Sequence, residues 1–522
     1  MSQFVTELKD GHFFIFCSYN WLGGFLRKVK LFLFNGILLT VTSLVLRSIG
    51  MFFGIYISNK IGSEAVGVYS LMMSVYMLFV TFASSGIHLA TSRIVSEQLA
   101  FGNDKHIKNA VKKCVIYSFI TGFASFLLLF FLASIISNYW LHGKVSSICL
   151  QIMGISLPFL AMSSSINGYF SAIRNIKKTA FCQVFEQVLK IGLIVFFMNI
   201  FTVSTIETAC ICLVLGSCIS EALSFFALFI FYKRDFRNSN SMSLRNNSFT
   251  KQILKITLPI AFTSYIKSGL STLKQILIPT QLEKSGISCE NALSKYGIVN
   301  GMAMPLIMFP CTFISSFSML LIPEFSYLNA KRNYEKINFA ICKILKFCFI
   351  FSFLIMGFFW CFSDELSFYI YNEESACIFI KVLSPLIVFM YVDNIVDGIL
   401  KGLDKQVCVM GINILDLLTS VTLIYFLLPI QGIKGYIVVL FVSEFLNGLV
   451  SLGLLIKETK VKIDFANWVL KPGLAIILLN LIVRNFYCNS IFELITQILL
   501  FVVFYFIIVA LFKGLVKSDL KF

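Results

Sequence analysis

Long apolar blocks recur along almost the whole sequence, and they restrict the chain to one class of fold. Each block is about 20 residues long, which lets an α-helix cross a hydrocarbon layer about 30 Å thick. Of the 522 residues, 58% are hydrophobic and only 13% are charged. A soluble protein of this length needs a larger polar share at its surface. The sequence therefore predicts an all-α polytopic membrane protein.

We divide the apolar blocks into about fourteen transmembrane helices. These spans lie at 33–57, 66–92, 114–137, 147–172, 180–200, 208–231, 254–279, 296–322, 340–362, 378–400, 407–428, 435–456, 468–488 and 491–512. Lysine and arginine concentrate in alternate loops, and the other set of loops holds only Lys60, Lys144, Lys284, Lys295, Lys434 and Arg484. Because basic loops stay in the cytoplasm, we expect both termini to be cytoplasmic.

The formal net charge of +17 does not indicate a nucleic-acid partner, because the basic residues form short clusters between apolar blocks. That distribution is typical of cytoplasmic loops attracted by anionic membrane lipids. Most of the 15 cysteines lie inside apolar blocks, where they behave as small apolar residues. No CxxC pair suggests a metal site or disulfides. We therefore predict membrane lipids as partners, with no nucleic acid, no metal and no cofactor.

An internal repeat relates the two halves of the chain. The alignment that places Gly67 on Gly297 also places GYFSAIRN (168–175) on GILKGLDK (398–405). The difference in residue number between matched positions is the same in both cases, and we call this alignment the repeat register. It also matches two acidic residues inside apolar spans, Glu186 and Asp416.

Each copy of the repeat holds six spans, an even number, so the copies share one orientation in the membrane. Such parallel repeats are related by an axis along the membrane normal, and the substrate lies between them. The repeat predicts two six-helix lobes followed by two C-terminal helices. The predicted units are an N-terminal cytoplasmic or interfacial extension (1–32), the N-lobe (33–232), a cytoplasmic linker (233–253), the C-lobe (254–456), and spans 13 and 14 with a cytoplasmic tail (457–522).

Three cations inside the predicted spans indicate an anionic substrate. An ionisable side chain near mid-bilayer costs at least ~2.5–3.5 kcal/mol, so each one needs a reason. Arg47 lies near the centre of span 1, and span 7, its repeat counterpart, carries Lys267 and Lys274 on roughly one face. Arginine can grip phosphate with two parallel hydrogen bonds. We predict that these three residues bind the substrate; the alternative is that Arg47 pairs with an internal acid as a structural bridge.

Two further pairs of charged residues lie within spans. Glu186 and Lys190 are four residues apart, and we expect them to neutralise one another. Asp393 and Asp397 share a face of span 10, where they would partner the cations, relay a proton or bind a coupling ion, unless Asp397 lies at the wet end of the helix. The longest outer loops contain acids but no catalytic constellation. We therefore predict no catalytic residues and no enzyme activity.

Two long stretches resemble a known family. The stretch RSIGMFFGIYISNKIGSEAVGVYSLMMSVYMLFVTFASSGIHLATSRIVSE (47–97) resembles the opening of stage V sporulation protein B and its relatives. EKSGISCENALSKYGIVNGMAMPLIMFPCTFISSFSMLLIPEFS (283–326) resembles the start of that family's second lobe. The family belongs to the superfamily of multidrug, oligosaccharidyl-lipid and polysaccharide flippases, which includes the lipid II flippases. The resemblance implies two six-helix lobes, alternating access and a place in the bacterial cell membrane.

The resemblance also implies a function and partners. It implies a flippase for a polyprenyl-pyrophosphate-linked saccharide, with lipid II for peptidoglycan, including spore cortex, as the expected substrate. In lipid II flippases, basic residues of the first helix of each lobe bind the pyrophosphate, which gives that role to Arg47 and to Lys267 or Lys274. An exporter of another lipid-linked polysaccharide unit and a multidrug antiporter of the same fold are the alternatives. We expect a monomer that works beside cell-wall synthesis proteins.

Overall fold

The computed structural model describes residues 11–100, 104–141, 143–201, 205–236, 248–483 and 491–512. Those residues are almost entirely helical and include no β-strand, so the all-α prediction is confirmed. The α-helices are α1 (Gly11–Ser84), α2 (Ile87–Ala100), α3 (Asp104–Ile135), α4 (Ser147–Ala172), α5 (Ile176–Ile200), α6 (Ile206–Phe236), α7 (Ser248–Lys284), α8 (Cys289–Gly297), α9 (Met304–Met308), α10 (Cys311–Ala330), α11 (Tyr334–Cys361), α12 (Ser363–Leu366), α13 (Glu374–Leu383), α14 (Leu386–Gly402), α15 (Gln406–Gln431), α16 (Ile433–Thr459), α17 (Lys471–Val483) and α18 (Ile491–Leu511). Short π-helical segments occupy Ile136–Trp140, Ile298–Ala303, Ser367–Tyr371 and Ala466–Leu470.

The described helices make this a multi-pass membrane protein. Ten of them are long and apolar enough to cross a membrane, and eleven if the bent pair α13 and α14 forms one span. The first of the ten, Thr40–Leu99, runs for 60 residues and contains most of predicted span 1 and all of span 2. Helix α17 has only 13 residues, and α7 carries several lysines and two prolines. The count of fourteen spans therefore stays a prediction.

Helix α1 consists of two helices that meet at Gly62. The backbone there has φ 80° and ψ 169°, a conformation that side chains with a Cβ rarely adopt. We name the two parts α1a (residues 11–61) and α1b (residues 63–84). Residues 11–32, which we expected as a separate extension, are helical and continuous with the first span.

Three predicted spans are broken, which the apolar pattern alone did not reveal. Span 2 ends at Ser84, and α2 continues from Ile87 after a turn. Span 8 is divided between α9 and α10 at Phe309 and Pro310, where the proline ring removes a backbone donor. Span 10 bends by 54° between α13 and α14. The predicted boundaries of these spans describe their overall extent but not the breaks inside them.

The parallel repeat appears as equivalent packing in the two lobes. A Cβ on Gly168 of α4 would lie 2.6 Å from the carbonyl oxygen of His88 in α2. A Cβ on Gly398 of α14 would lie 3.0 Å from the carbonyl oxygen of Ser318 in α10. In the repeat register, Gly168 matches Gly398 and His88 matches Ser318. The same close approach thus occurs at equivalent positions in both lobes, and the repeat predicted from the sequence is confirmed. Residues 1–10, 237–247 and 513–522 lie outside the described residues, and the limits of the extension, linker and tail stay predictions.

The two lobes meet where α1b crosses α8. A Cβ on Gly297 would lie 2.8 Å from the nitrogen and 3.1 Å from the Cα of Gly67, its repeat counterpart. Beside this contact the hydroxyls of Ser63 and Ser294 are 2.8 Å apart. The Nζ of Lys144 in the N-lobe lies 2.9 Å from Glu283 Oε1 in the C-lobe. We call this group of contacts the inter-lobe gate. Under the predicted orientation it closes the outer side.

Replacing Gly297 by Leu should destabilise the protein, because the new side chain would meet backbone atoms that cannot rotate away. Overpacking of this kind typically costs about 1–3 kcal/mol. The midpoint of thermal unfolding of the detergent-solubilised protein should fall. Gly54→Leu is the matched control, since a Cβ there meets nothing within 4 Å. Equal stability of the two variants would contradict a tight crossing.

Candidate functional site

A polar cavity of about 360 Å³ lies between the lobes, next to the inter-lobe gate. Its lining is supplied mainly by α1b of the N-lobe and α7 of the C-lobe, together with Tyr296 at the end of α8 and Asn300 just after it. Hydroxyl and amide side chains predominate in it: Ser70, Ser74, Ser268, Ser271, Gln275 and Asn300. Such groups donate and accept hydrogen bonds, so the cavity is suited to a ligand rich in hydroxyls.

Neutral hydrogen bonds hold α1b to α7 around this cavity. Thr272 Oγ1 donates to the carbonyl oxygen of Ser74 at 3.0 Å. Thr81 Oγ1 donates to Ser268 Oγ at 3.1 Å. A bond of this kind contributes only about 0.5–1.5 kcal/mol, so the contact can separate and re-form more easily than an apolar core.

Lys274 points into the C-lobe rather than standing free in the cavity. Its Nζ donates to Ser420 Oγ of α15 at 3.2 Å, and the hydroxyls of Ser420 and Ser443 are 2.7 Å apart. Ser443 in turn donates to a carboxylate oxygen of Asp416. Lys274 also interacts electrostatically with Glu444 of α16. The amine is thus linked to Asp416 through two serine hydroxyls and lies within electrostatic range of Glu444.

Asp393 and Asp397 extend this acidic region along α14. Asp393 accepts a hydrogen bond from Asn447 Nδ2 at 2.9 Å, and Asp397 lies 3.4 Å from Lys401 Nζ. Lys267, which is exposed, lies close enough to Asp397 to interact with it electrostatically. The Oδ1 atoms of both aspartates are buried and accept no hydrogen bond from the described residues. The three roles named for this pair, namely partnering the cations, relaying a proton or binding a coupling ion, stay predictions.

Arg47 reaches from the N-lobe to the same region. Its Nη1 donates to Thr312 Oγ1 in the first turn of α10, at 3.5 Å. The neighbouring Cys311 lies within electrostatic range of Arg47, Glu444 and Asp393. Arg47 forms no ion pair within 4.0 Å with a carboxylate of the described residues, so the structural bridge we considered is not seen among them.

The structure therefore groups the three predicted cations around one set of acids. We call Asp393, Asp397, Asp416 and Glu444 the C-lobe acidic cluster. Lys274 is linked to it through the hydroxyls of Ser420 and Ser443, Lys267 lies near its α14 side, and Arg47 borders it across the lobe interface. The cations are thus partly compensated before any anion arrives.

The N-lobe contains an equivalent but differently built cluster. Lys190 interacts electrostatically with Glu221 as well as with Glu186, so the predicted neutralisation involves a second acid. Tyr76 OH donates to Glu221 Oε2 at 2.9 Å. The repeat register places Lys190 on Ser420, the hydroxyl that Lys274 reaches.

Each lobe therefore keeps one lysine between two acids, but the lysine comes from a different helix. We had matched Asp416 with Glu186 in the repeat without assigning it to the site. The repeat match with Glu186 was the sequence signal that could have identified Asp416 as a residue of the site.

The comparisons with known proteins agree with this architecture. A family model described as polysaccharide biosynthesis protein matches residues 32–329, and the MatE model matches residues 285–426. Stage V sporulation protein B of Bacillus subtilis is 27% identical over 414 residues, covering 77% of this chain and 79% of the relative. The lipid II flippase MurJ of the same organism is 21% identical over 398 residues, covering 70% of this chain and 72% of the relative.

One solved structure shows the same fold over most of the chain. It is the lipid II flippase MurJ in an inward closed conformation, with a TM-score of 0.71 and 14% identity. The superposition covers 91% of this chain and 98% of the other. At that identity the likeness establishes the fold alone.

Replacing Lys274 by Met should destabilise the C-lobe, because Asp416 and Glu444 would lose the cation that compensates them. Losing a hydrogen bond made by a charged group costs about 1.5–3 kcal/mol, and Lys274 is half-buried, which favours the lower end. The thermal unfolding midpoint should fall, and the added change Glu444→Gln should restore part of the loss. Lys267→Met, at an exposed position of the same helix, is the control. A similar loss in both single variants would mean that Lys274 is not specifically held by the acids.

Proposed function

The chain belongs to the polysaccharide biosynthesis protein family, and we propose on that basis that it is a flippase for a polyprenyl-pyrophosphate-linked saccharide. It would move this substrate across the bacterial cell membrane by alternating access of its two lobes. The observation that carries the proposal is the hydroxyl- and amide-lined cavity between α1b and α7, with Arg47 and Lys267 on the two helices that lead to it. No bond is broken in such a transport cycle.

The cavity and the cations match different parts of one substrate. Serine hydroxyls and the amides of Gln275 and Asn300 can exchange hydrogen bonds with sugar hydroxyls. The side chains of Arg47 and Lys267 are both exposed, so they can donate charge-assisted hydrogen bonds to a pyrophosphate. The polyprenyl chain would remain in the lipid, where it has no desolvation cost.

Lys274 has a supporting role in this mechanism. Its amine is bonded into the C-lobe acidic cluster, so we assign the first contact with pyrophosphate to Arg47 and Lys267. An arriving pyrophosphate competes with the carboxylates for the cations. Such competition couples substrate binding to the charge state of the C-lobe acidic cluster.

Lipid II is the substrate we propose within this class. The names of two relatives support it: one is a sporulation protein and the other a lipid II flippase. A muropeptide head group carries many hydroxyl and amide groups, which agrees with the lining of the cavity.

An antiporter of cationic drugs is the second candidate, because the C-lobe acidic cluster places four carboxylates inside the membrane region. A drug cation would be attracted by acids that lack compensation. Here Lys274, Lys267 and Arg47 lie among or beside those acids. This arrangement favours the flippase over the antiporter.

Replacing Arg47 by Ala should reduce translocation of labelled lipid II in liposomes by about 10- to 100-fold, the equivalent of losing one hydrogen bond to a charged group. Arg93→Ala is the control, since that arginine is exposed and, among the described residues, forms its ion pair with Glu97, four residues away at 3.0 Å. Both variants should insert and elute as the wild type does. Normal transport by the Arg47 variant would remove its assigned role.

The same assay on the wild-type protein tests whether lipid II is the substrate. If the folded wild type moved no lipid II, with or without ion gradients, the lipid II assignment would be wrong. Drug resistance conferred by that protein in cells would then favour the antiporter.

Cross-linking the inter-lobe gate should stop transport. The Ser63 and Ser294 hydroxyls are 2.8 Å apart, so cysteines at both positions can form a disulfide without large backbone movement. The double variant Ser63→Cys/Ser294→Cys should be made with Cys289→Ser, because Cys289 is exposed nearby. Oxidant should block translocation and reductant should restore it, whereas each single cysteine variant should be insensitive. Full transport by the cross-linked protein would show that the gate does not open in the cycle.

A further inference from the structure

A second cavity lies on the N-lobe alone, between α3 and α6, and it has a volume of about 640 Å³. Apolar side chains form its walls, with Val115 and Ile116 on α3 and Phe229 and Ile230 on α6. Val115, Phe229 and Tyr232 pack against a buried cluster that includes Phe170 of α4. We call this cavity the α3–α6 groove. It takes no part in the cavity between the lobes.

Basic side chains form one end of the α3–α6 groove. They are Lys108 and Lys112 near the start of α3, and Lys233 and Arg234 in the last turn of α6. All four are exposed. None of them forms an ion pair within 4.0 Å with a carboxylate of the described residues.

The nearest acid on α6 does not neutralise these cations. Asp235 forms an ion pair with Lys178 of α5. The Nζ of Lys178 also lies over the ring of Phe170. None of the described residues that line the groove is acidic. The Nζ of Lys233 lies 5.0 Å from the ring centre of Phe229, so its stem covers the apolar wall while its charge stays at the rim. The groove therefore combines an uncompensated positive end with an apolar interior.

The dimensions match an amphiphile at a membrane surface. Lys108 and Ile116 are two turns apart on α3, which corresponds to about 12 Å along the helix axis. Ile116 is 48% exposed and Ile230 is 51% exposed, so both present apolar surface to the bilayer. The basic end lies at helix ends that the positive-inside rule assigns to the cytoplasmic leaflet, where anionic lipids attract each nearby Lys or Arg by about 1 kcal/mol.

We propose that the α3–α6 groove binds an anionic phospholipid of the cytoplasmic leaflet. The phosphate would lie among Lys108, Lys112, Lys233 and Arg234, and one acyl chain would lie along Ile116 and Ile230. The apolar walls favour a lipid over a free phosphate. The position on the outer face of one lobe favours a bound lipid over the transported substrate, which must reach the space between the lobes.

The test measures phosphatidylglycerol binding to the purified full-length protein, by native mass spectrometry and by thermal stabilisation in a neutral detergent. The double variant Lys108→Gln/Lys112→Gln should bind about 30-fold more weakly, since it removes two of the four cations at about 1 kcal/mol each. The matched control is Lys457→Gln/Lys462→Gln, which removes two exposed lysines from the same predicted side of the C-lobe. The control should bind as the wild type does, and phosphatidylcholine should bind weakly to all three proteins.

A second variant tests the apolar part. Ile116→Ser/Ile230→Ser leaves every charge in place, and it should also weaken phosphatidylglycerol binding. Equal binding by the lysine variant and its control would overturn the site. Equal stabilisation by inorganic phosphate would overturn the lipid assignment. Displacement of phosphatidylglycerol by a polyprenyl pyrophosphate, lost in the lysine variant, would show that the groove receives the substrate instead.

Discussion

The close crossing of α1b and α8 is the contact on which the arrangement of the two lobes depends. Gly67 and Gly297 occupy equivalent positions in the repeat, and each lies against the backbone of the other's helix. In a membrane, helix association relies on close packing and hydrogen bonds rather than on a hydrophobic force. Two glycines at this point let the backbones approach, and the hydroxyls of Ser63 and Ser294 add a polar contact. The polar cavity lies directly beside this crossing because α1b continues from it along α7.

The second organising constraint is the cost of charge in a hydrocarbon layer. Both lobes meet it with a lysine placed between two acids, Lys190 in the N-lobe and Lys274 in the C-lobe. The C-lobe carries two further aspartates on α14, which approach Lys267. A site built in this way is close to neutral when empty. Under the function we propose, an anionic substrate would compete with these carboxylates for the cations.

The sequence allowed some of the site to be predicted and left other parts out of reach. Arg47, Lys267 and Lys274 stood out because charged residues are rare in apolar spans, and the structure groups them around one acidic cluster. The sequence did not predict which of these cations would bond to groups of the protein and which would stay exposed. A lysine side chain is long enough to reach in several directions from one helix position. Lys274 bonds to Ser420 on α15, a residue with no unusual feature in the sequence. The α3–α6 groove likewise depends on how two helices diverge across α4.

By itself the sequence determined that this is an all-α membrane protein with two parallel copies of one repeat, because hydropathy and the repeat register are properties of linear order. Tertiary structure decided how the broken spans are arranged, such as the 54° bend between α13 and α14, because the angle at a break depends on what packs beside it. It also decided which acid compensates which cation. That choice is made across helices distant in the chain, where the cost of an unpaired charge in low dielectric selects the partner within reach.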